Sequence, residues 1–108
     1  MIYEMRVYRS APGKLPALLK RFETVTIDMM KQHGIRPFAF FTTVIGASNH
    51  ELTYYLAWES LAEREQKMAA FSSDPDWLAA RAKTEVDGPL AENITNQILA
   101  PTVFSPLQ

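Results

Sequence analysis

Three side chains in this 108-residue sequence could transfer a proton or bind an anion, and they lie far apart along the chain. Arg6 and Tyr54 stand in stretches where polar and apolar residues alternate, whereas His33 ends a stretch of helical periodicity. An imidazole can act as a general acid or base near neutral pH, a guanidinium can stabilise an anion, and a phenol can donate a hydrogen bond to a substrate oxygen. His33, Arg6 and Tyr54 are therefore our candidate catalytic residues.

Each candidate also has other interpretations that the sequence leaves open. His33 could continue the apolar stripe of its helix and favour the negative helix end, or it could serve as an axial haem ligand. Arg6 could pair with Glu4 on the same face of a strand, because polar groups need partners if they are buried. The last strand could complete such a polar patch with Asn93, Thr95 and Gln97.

Large aromatic side chains could form the walls of a ligand cleft. Aromatic rings suit a small flat molecule, which they contact by stacking or edge-on. Our candidate substrate-binding residues are Tyr8, Phe40, Trp58 and Trp77. Packing in the core is the alternative role for such rings, and Arg64 could either contact a ligand or pair with a carboxylate.

The composition excludes several classes of site. The sequence has no cysteine, which excludes disulfides, thiolate nucleophiles, iron–sulfur clusters and cysteine zinc sites. Its two histidines, His33 and His50, do not form a pair at helical spacing, and we predict neither a metal site nor a cofactor. The formal net charge is −1 with acids and bases mixed along the chain, which argues against a nucleic-acid partner.

The start of the sequence and its apolar runs bear on where the protein acts. Glu4 and Arg6 follow Met1 almost at once, without the apolar segment of a signal peptide. No apolar run approaches the roughly 20 residues of a membrane span. We therefore expect a cytoplasmic protein that has no membrane partner.

The residue periodicities predict the elements that must position these side chains. Residues 2–9 alternate between polar and apolar in the manner of a strand with one apolar face. From 14 to 33 the apolar residues recur at three- and four-residue steps, which predicts an amphipathic helix ended by Gly34. Two strands rich in aromatic and β-branched residues follow at 38–46 and 52–58.

The segment F-S-S-D-P-D-W, residues 71–77, interrupts a second helical region. Residues 60–72 have helical character and begin with the capping box S-L-A-E, in which the serine and glutamate side chains satisfy backbone N–H groups. Asp74 followed by Pro75 is the pattern of a helix N-cap and first helical residue. We therefore predict that one helix ends before Asp74 and that another begins there.

A last strand at 92–100 completes the element order βαββαβ. This order is typical of the ferredoxin-like α+β fold, in which two helical segments cover one face of a four-stranded antiparallel sheet. The sequence contains no internal repeat, low-complexity run or linker. We therefore treat residues 1–108 as a single domain.

The uncovered face of this sheet is predicted to meet another molecule. The second strand reads as apolar on both faces, with Phe38, Phe40 and Val44 on one and Ala39, Phe41 and Ile45 on the other. A sheet face that meets solvent should be polar instead. A second copy of the sheet would cover it, so we predict a homodimer that closes through the sheet faces and leave higher assembly open.

Six short motifs, in order along essentially the whole chain, resemble those of the NIPSNAP family. They are Y-E-M-R-V-Y-R, P-G-K, H-G-I-R, W-E-S-L-A-E-R, D-P-D-W and F-S-P. The resemblance implies the dimeric α/β-barrel superfamily, whose members pair two ferredoxin-like sheets into a barrel. That superfamily includes cofactor-free monooxygenases, haem-binding and haem-degrading enzymes, isomerases, lyases and simple binding proteins, so the resemblance does not fix a reaction.

We therefore expect a NIPSNAP-like protein that binds or transforms a small apolar or aromatic molecule without a metal. Its site would be a cleft between helices and sheet, where aromatic walls carry a few polar groups. Two alternatives stay open from the sequence. The protein could be a non-catalytic dimeric interaction module, or it could bind haem through His33.

Overall fold

The computed structural model describes residues 1–108, and its four strands form one antiparallel sheet. The strands are β1 (Ile2–Ser10), β2 (Arg36–Thr42), β3 (Glu51–Trp58) and β4 (Ala91–Leu99), in the spatial order β2-β3-β1-β4. β1 and β3 are the inner strands, so β1 pairs with β3 on one side and with β4 on the other. This arrangement confirms the predicted ferredoxin-like α+β fold.

The first helical segment is continuous but changes geometry in the middle. It begins as α1 (Leu15–Arg21), widens into a π-helical turn at Phe22–Thr26 and continues as α2 (Ile27–Gln32). Gly34, whose φ is +72°, follows its end in the left-handed conformation that glycine adopts most readily. The predicted long helix and its glycine stop are therefore confirmed.

The second helical region is broken at Asp74, as the sequence predicts. α3 (Leu61–Ser73) ends before this residue and α4 (Pro75–Thr84) begins after it. Asp74 Oδ1 accepts a hydrogen bond of 2.8 Å from the backbone N–H of Asp76, which identifies Asp74 as the N-cap. None of the helices is both long enough and apolar enough to span a membrane.

The predicted capping box at the start of α3 forms with one difference. Ser60 Oγ accepts a hydrogen bond of 3.1 Å from the backbone N–H of Glu63. The Glu63 carboxylate reaches one residue further back than the motif implies and accepts from the backbone N–H of Glu59 at 2.9 Å. Together with Arg36, which donates to Glu63 at 3.0 Å, these bonds fix the start of the helix beside β2.

The helices cover one face of the sheet, and the polar face of β1 points toward them. The buried side chains of β3 beneath the helices are Leu52, Tyr54, Leu56 and Trp58. Glu4 and Arg6 lie opposite two of these positions in the register with β1, so they share the helix-covered face. Tyr3, Met5 and Val7 of β1 therefore lie on the other face, which we call the open face, whereas Ile2 packs against the helix-covered core.

The predicted alternation of β2 is wrong at its start. We expected Phe38 and Phe40 on the same face, but the register shifts between Pro37 and Ala39. Such a bulge turns the following residues to new faces. Phe38 consequently lies on the open face, with its ring 5.9 Å from that of Tyr55, whereas Phe40 packs on the helix-covered face.

The alternation is also wrong at the end of β2. The strand stops at Thr42, four residues before Gly46, where we had predicted its end. Val44 and Ile45, which we had assigned to opposite sheet faces, are almost fully exposed in the loop that follows. Their β-branched side chains favour strand geometry, but no neighbouring strand is available there to pair with them.

Candidate functional site

A buried carboxylate organises the polar residues between the sheet and the helices. The side chain of Glu4 is fully buried and accepts hydrogen bonds from four side chains. Arg64 donates twice, through Nε at 2.8 Å and Nη2 at 3.0 Å. The other donors are Arg6 Nη1 at 2.9 Å, Trp58 Nε1 at 3.1 Å and Asn96 Nδ2 at 2.9 Å.

These contacts keep Glu4 ionised. Burial by itself raises the pKa of the carboxyl, but the hydrogen bonds from Arg64, Asn96 and Arg6 outweigh it and lower the pKa of Glu4 to about 2. The predicted Arg6–Glu4 pair is thus present, and Arg64 pairs with the same carboxylate. The bond from Arg6 Nη1 to Glu4 orients the guanidinium, so the direction of its Nε and Nη2 groups is also set.

The other edge of the Arg6 guanidinium faces two tyrosine hydroxyls. Arg6 Nε donates to Tyr54 Oη at 2.9 Å and Nη2 donates to Tyr8 Oη at 3.4 Å, while the two hydroxyls are 3.3 Å apart. Burial lowers the pKa of Arg6, but the neighbouring Tyr54, Tyr8 and Glu4 groups raise it overall. Burial raises the pKa of Tyr54 well above its ordinary value, and the nearby Tyr8 adds to the rise.

The direction of the bond between the two hydroxyls follows from burial. The hydroxyl oxygens of Tyr8 and Tyr54 each accept a hydrogen bond from Arg6. Only one of the two hydroxyls can donate its hydrogen to the other, so the hydrogen of the second hydroxyl has no partner in this network. Tyr54 is fully buried, and an unpaired hydrogen there would cost desolvation energy. Tyr54 therefore donates to Tyr8, and the hydroxyl hydrogen of Tyr8 is free to meet another acceptor.

Tyr8 lines a cleft between the helices and the β4 side of the sheet. The cleft has a volume of about 390 Å³. Its walls are Tyr8, Arg21, Trp77, Arg81, Glu85, Pro89, Ala91 and Ile94. Two of the predicted substrate-binding residues, Tyr8 and Trp77, therefore lie in one concave site, and Tyr8 connects this site to Arg6 and Tyr54.

Arg21 is a charged residue of the cleft that our sequence analysis missed. Its side chain is only 5% exposed, and its Nη1 lies 3.3 Å from Thr84 Oγ1 and 3.4 Å from Glu85 Oε2. The guanidinium carbon lies 5.7 Å from the centre of the Trp77 ring. A signal was present, because Arg21 stands three residues after Leu18 in the buried stripe of the first helix.

The polar patch on β4 is formed by a different residue from those we predicted. Asn96 faces Arg6 in the register with β1, and its side chain bonds to Glu4. Strand side chains alternate, so Asn93, Thr95 and Gln97 lie on the open face, away from Arg6. Our assignment was therefore wrong by one residue, which is enough to move every side chain of a strand to the opposite face.

Two other predicted binding residues lie outside the cleft. Trp58 is fully buried and its indole N–H donates to Glu4. Phe40 stacks on Tyr54 with ring centres 5.4 Å apart and borders a shallower cavity of about 260 Å³ beside the first helical segment. Trp58 and Phe40 thus contact Glu4 and Tyr54, which are two of the partners of Arg6. A contact of either ring with a ligand stays a prediction.

His33 lies apart from Arg6 and Tyr54. Its Nε2 is 2.7 Å from Asp74 Oδ2, and its ring meets Phe71 edge-on at 6.0 Å. The hydrogen bond with His33 lowers the pKa of the Asp74 carboxyl, and the backbone N–H of Asp76 lowers it further. His33 borders none of the four cavities of the molecule.

The open face carries a second groove of similar size but different chemistry. It has a volume of about 410 Å³, and eight of its ten lining residues are hydrophobic. Phe38 and Phe41 border it on β2, and the C-terminal tail borders it through Ser105 and Leu107. This groove has no charged lining residue, in contrast to the cleft with Arg21, Arg81 and Glu85.

The sheet order and the helices on one face define an α+β protein of ferredoxin-like fold. A sequence model of the NIPSNAP family matches residues 3–106, and the chain belongs to this family. Protein NipSnap of Drosophila melanogaster is 31% identical over 107 residues, which are 99% of this chain and 37% of that protein. The chain thus spans little more than a third of this relative.

Solved structures of bacterial relatives share the fold. A NIPSNAP family protein with unknown function from Agrobacterium tumefaciens is 36% identical, with a TM-score of 0.86 and coverage of 100% of this chain and 94% of that one. An uncharacterized NIPSNAP domain protein from Burkholderia xenovorans is 27% identical, with a TM-score of 0.84 and coverage of 98% and 99%. A putative antibiotic biosynthesis monooxygenase from Nitrosomonas europaea, 15% identical with a TM-score of 0.61 and coverage of 94% and 98%, is similar in fold alone.

Proposed function

We propose that this protein binds a small organic molecule with a flat apolar body in the cleft between its helices and sheet. The volume of about 390 Å³ lies in the range of small-molecule sites, and Tyr8 and Trp77 offer aromatic walls. The observation that carries the proposal is that Tyr8, whose hydroxyl is hydrogen-bonded to both Arg6 and Tyr54, lines this cleft. The hydroxyl hydrogen of Tyr8 can then be donated to an oxygen atom of the bound molecule.

The same geometry suits proton donation to the bound molecule. Negative charge that develops on a ligand oxygen beside Tyr8 would be stabilised by the hydrogen bonds from Arg6 and Tyr54 to the Tyr8 oxygen. Tyr8 would be the proton donor in such a step, with Arg6 and Tyr54 behind it. Proton donation by Tyr8 needs neither a metal nor a cofactor. The cytoplasmic location of the protein stays a prediction.

Haem binding through His33 ranks below this proposal. An axial ligand must direct a ring nitrogen at the iron from the wall of a pocket that accepts a flat macrocycle. His33 Nε2 is instead engaged by Asp74, and the residue borders no cavity. The observed geometry of His33 therefore favours a structural role.

We also propose that the protein is a homodimer that closes through its open faces into a barrel. Phe38 and Phe41 are 47% and 55% exposed on this face, and together with Tyr3, Tyr55 and Leu99 they border the apolar groove. Contiguous exposed apolar surface is typical of protein interfaces. Helix-covered clefts would remain accessible in such a dimer, because they lie on the other side of each sheet.

The cleft can be tested with cinnamamide, a neutral flat molecule that carries one carbonyl oxygen. Titration should be followed by proton–nitrogen NMR, in which the two indole N–H signals report on the cleft and on the core separately. We expect the Trp77 signal to move and the Trp58 signal to stay, because the Trp58 indole is bound to Glu4. Tyr8→Phe should weaken binding about fivefold, the value of one ordinary hydrogen bond.

Tyr55→Phe is the matched control, since this hydroxyl lies on the open face. It should leave the affinity for cinnamamide unchanged. Unmoved Trp77 signals at saturating cinnamamide, or equal affinity in wild type and Tyr8→Phe, would contradict the proposed site.

A further inference from the structure

We infer that the molecule bound in the cleft carries a carboxylate and that Arg21 holds it. This inference rests on the proposed function, because it assigns a substrate class to the same cleft. It goes further in naming an anionic group and the residue that recognises it. The evidence for a carboxylate is the set of hydrogen bonds that Arg21 makes and the donors of Arg21 that have no partner.

Arg21 is a buried cation whose hydrogen bonds are incomplete. Both of its polar contacts, to Thr84 and Glu85, are made by Nη1, whereas Nε is buried without any partner. A guanidinium and a carboxylate normally form two parallel hydrogen bonds of about 2.7–2.9 Å. The contact of 3.4 Å to Glu85 is longer and uses only one nitrogen, and Nη2 makes no hydrogen bond within the protein, so a carboxylate from the ligand has a donor to gain.

The charges in the cleft are also unbalanced. Glu85 is the one acidic residue in the lining, and it is shared by Arg21 at 3.4 Å and Arg81 at 3.3 Å. The same carboxylate accepts a hydrogen bond of 3.1 Å from the backbone N–H of Leu90. The guanidinium groups of Arg21 and Arg81 therefore share one carboxylate, which also accepts a backbone hydrogen bond. The lining of the cleft has a net positive charge, which favours the binding of an anion.

The apolar walls specify what the carboxylate is attached to. Trp77 lies beneath the Arg21 guanidinium, at 5.7 Å from ring centre to guanidinium carbon, which is within the range of a cation–π contact. Tyr8 and Ile94 complete the wall on the sheet side. A planar aromatic or conjugated carboxylate fits this arrangement, with its body against the rings and its charged end at Arg21.

The test compares cinnamate with cinnamamide, because these molecules share one shape and differ in charge. In wild-type protein we expect cinnamate to bind at least about tenfold tighter, since a charge-assisted bidentate contact replaces a neutral one. Arg21→Gln should remove this preference. Glu85→Gln should strengthen the binding of cinnamate, because it removes the internal competitor but retains an acceptor for the Leu90 N–H.

Arg36→Gln is the control for the loss of a positive charge, because Arg36 pairs with Glu63 and lies outside the cleft. It should retain the preference for cinnamate. Since Arg21 is buried, circular dichroism must show that Arg21→Gln is folded, and Glu85→Gln supplies an independent test if it is not. Cinnamate binding that is unchanged or weaker in Glu85→Gln than in wild type would overturn the inference.

The outcomes separate this inference from the proposed function. Equal affinity of wild type for cinnamate and cinnamamide, with the Trp77 signal moved by both, would overturn the carboxylate and leave the cleft as a binding site. A preference for cinnamate that survives in folded Arg21→Gln would overturn the role of Arg21. No movement of the Trp77 signal with either molecule would overturn both proposals.

Discussion

His33 Nε2 lies 2.7 Å from Asp74 Oδ2, while Oδ1 of the same carboxylate caps α4 through the backbone N–H of Asp76. One side chain therefore connects the end of α2 to the start of α4. The pair is a junction between helices, and it shares no hydrogen bond with the hydroxyls of Tyr8 and Tyr54. This explains why a histidine at a helix end and an aspartate before a proline occur together without a cavity beside them.

Removal of the Asp74 carboxylate should lower stability and leave the cleft intact. Asp74→Ala loses both the cap and the contact with His33, and we expect its Tm to fall by about 5 °C. Asp74→Asn retains a side-chain oxygen for the cap and should lose less. Calorimetry measures the fall, and a large loss of cinnamamide binding at unchanged Tm would show that Asp74 is functional instead.

Haemin should not be bound through His33. Because His33 is engaged by Asp74 and borders no cavity, titration of wild type and His33→Ala should give the same weak change in the Soret band. A strong Soret shift that requires His33 would reverse the order of our proposals. Asp74→Ala serves as a second sample, because it frees the imidazole without removing it.

Stability should fall in acid as Glu4 becomes protonated. The pKa of Glu4 is lowered by folding from 4.5 to about 2, so the folded state favours the ionised form. The stabilisation is complete above about pH 4.5 and is lost as the pH falls toward about 2. Urea unfolding at a series of pH values should show this loss in wild type.

Glu4→Gln should be less stable at neutral pH and should show a flatter pH profile in the acid range. The variant leaves Arg6 and Arg64 without their carboxylate, which costs roughly 3 kcal/mol for a broken buried ion pair. Glu63→Gln is the comparison, since the pKa of Glu63 is also lowered to about 2 but its site is at the helix surface. A larger loss of stability in Glu63→Gln than in Glu4→Gln would contradict the central role of Glu4.

A charge on the open face should prevent self-association. Phe41 lies on this face, and Phe41→Glu would bury a carboxylate at the proposed dimer interface, where no cation lines the groove. Multi-angle light scattering should show a dimer for wild type and a monomer for this variant. Leu61→Glu, at a 61% exposed position on α3, should remain dimeric. A wild-type protein that is monomeric at micromolar concentration would contradict the dimer.

The elements of the fold could be predicted because each has a local cause. The capping pattern around Asp74 and the glycine after α2 both act within a few residues, and both were found where expected. The bulge before Ala39 was missed, although it lies beside Pro37, a residue that strands admit mainly at edges and bulges. Local patterns therefore specify the elements better than their register.

The candidate site was predicted in part for the same reason. Arg6, Tyr54 and Tyr8 are adjacent because β1 and β3 pair, and the pairing of Arg6 with Glu4 follows from strand alternation alone. Asn96 was missed, although Ile94 and Ile98 on either side of it mark the face of β4 that turns toward the helices. The burial of Arg21 is indicated by its place in the stripe of the first helix, but its contact with the cleft depends on the packing of that helix beside α4, which no local pattern encodes.

The position of β1 between β3 and β4 affects how the protein folds. Tyr3 pairs with Leu99 and Glu4 with Ile98, so this half of the sheet joins residues from opposite ends of the domain. Such distant pairings lose much chain entropy before they gain contacts, and they slow folding. Until β4 docks, Glu4 lacks Asn96 and the cleft lacks one wall. Partly folded chains should therefore already contain the β1–β3 pair but acquire ligand affinity only in the last kinetic step.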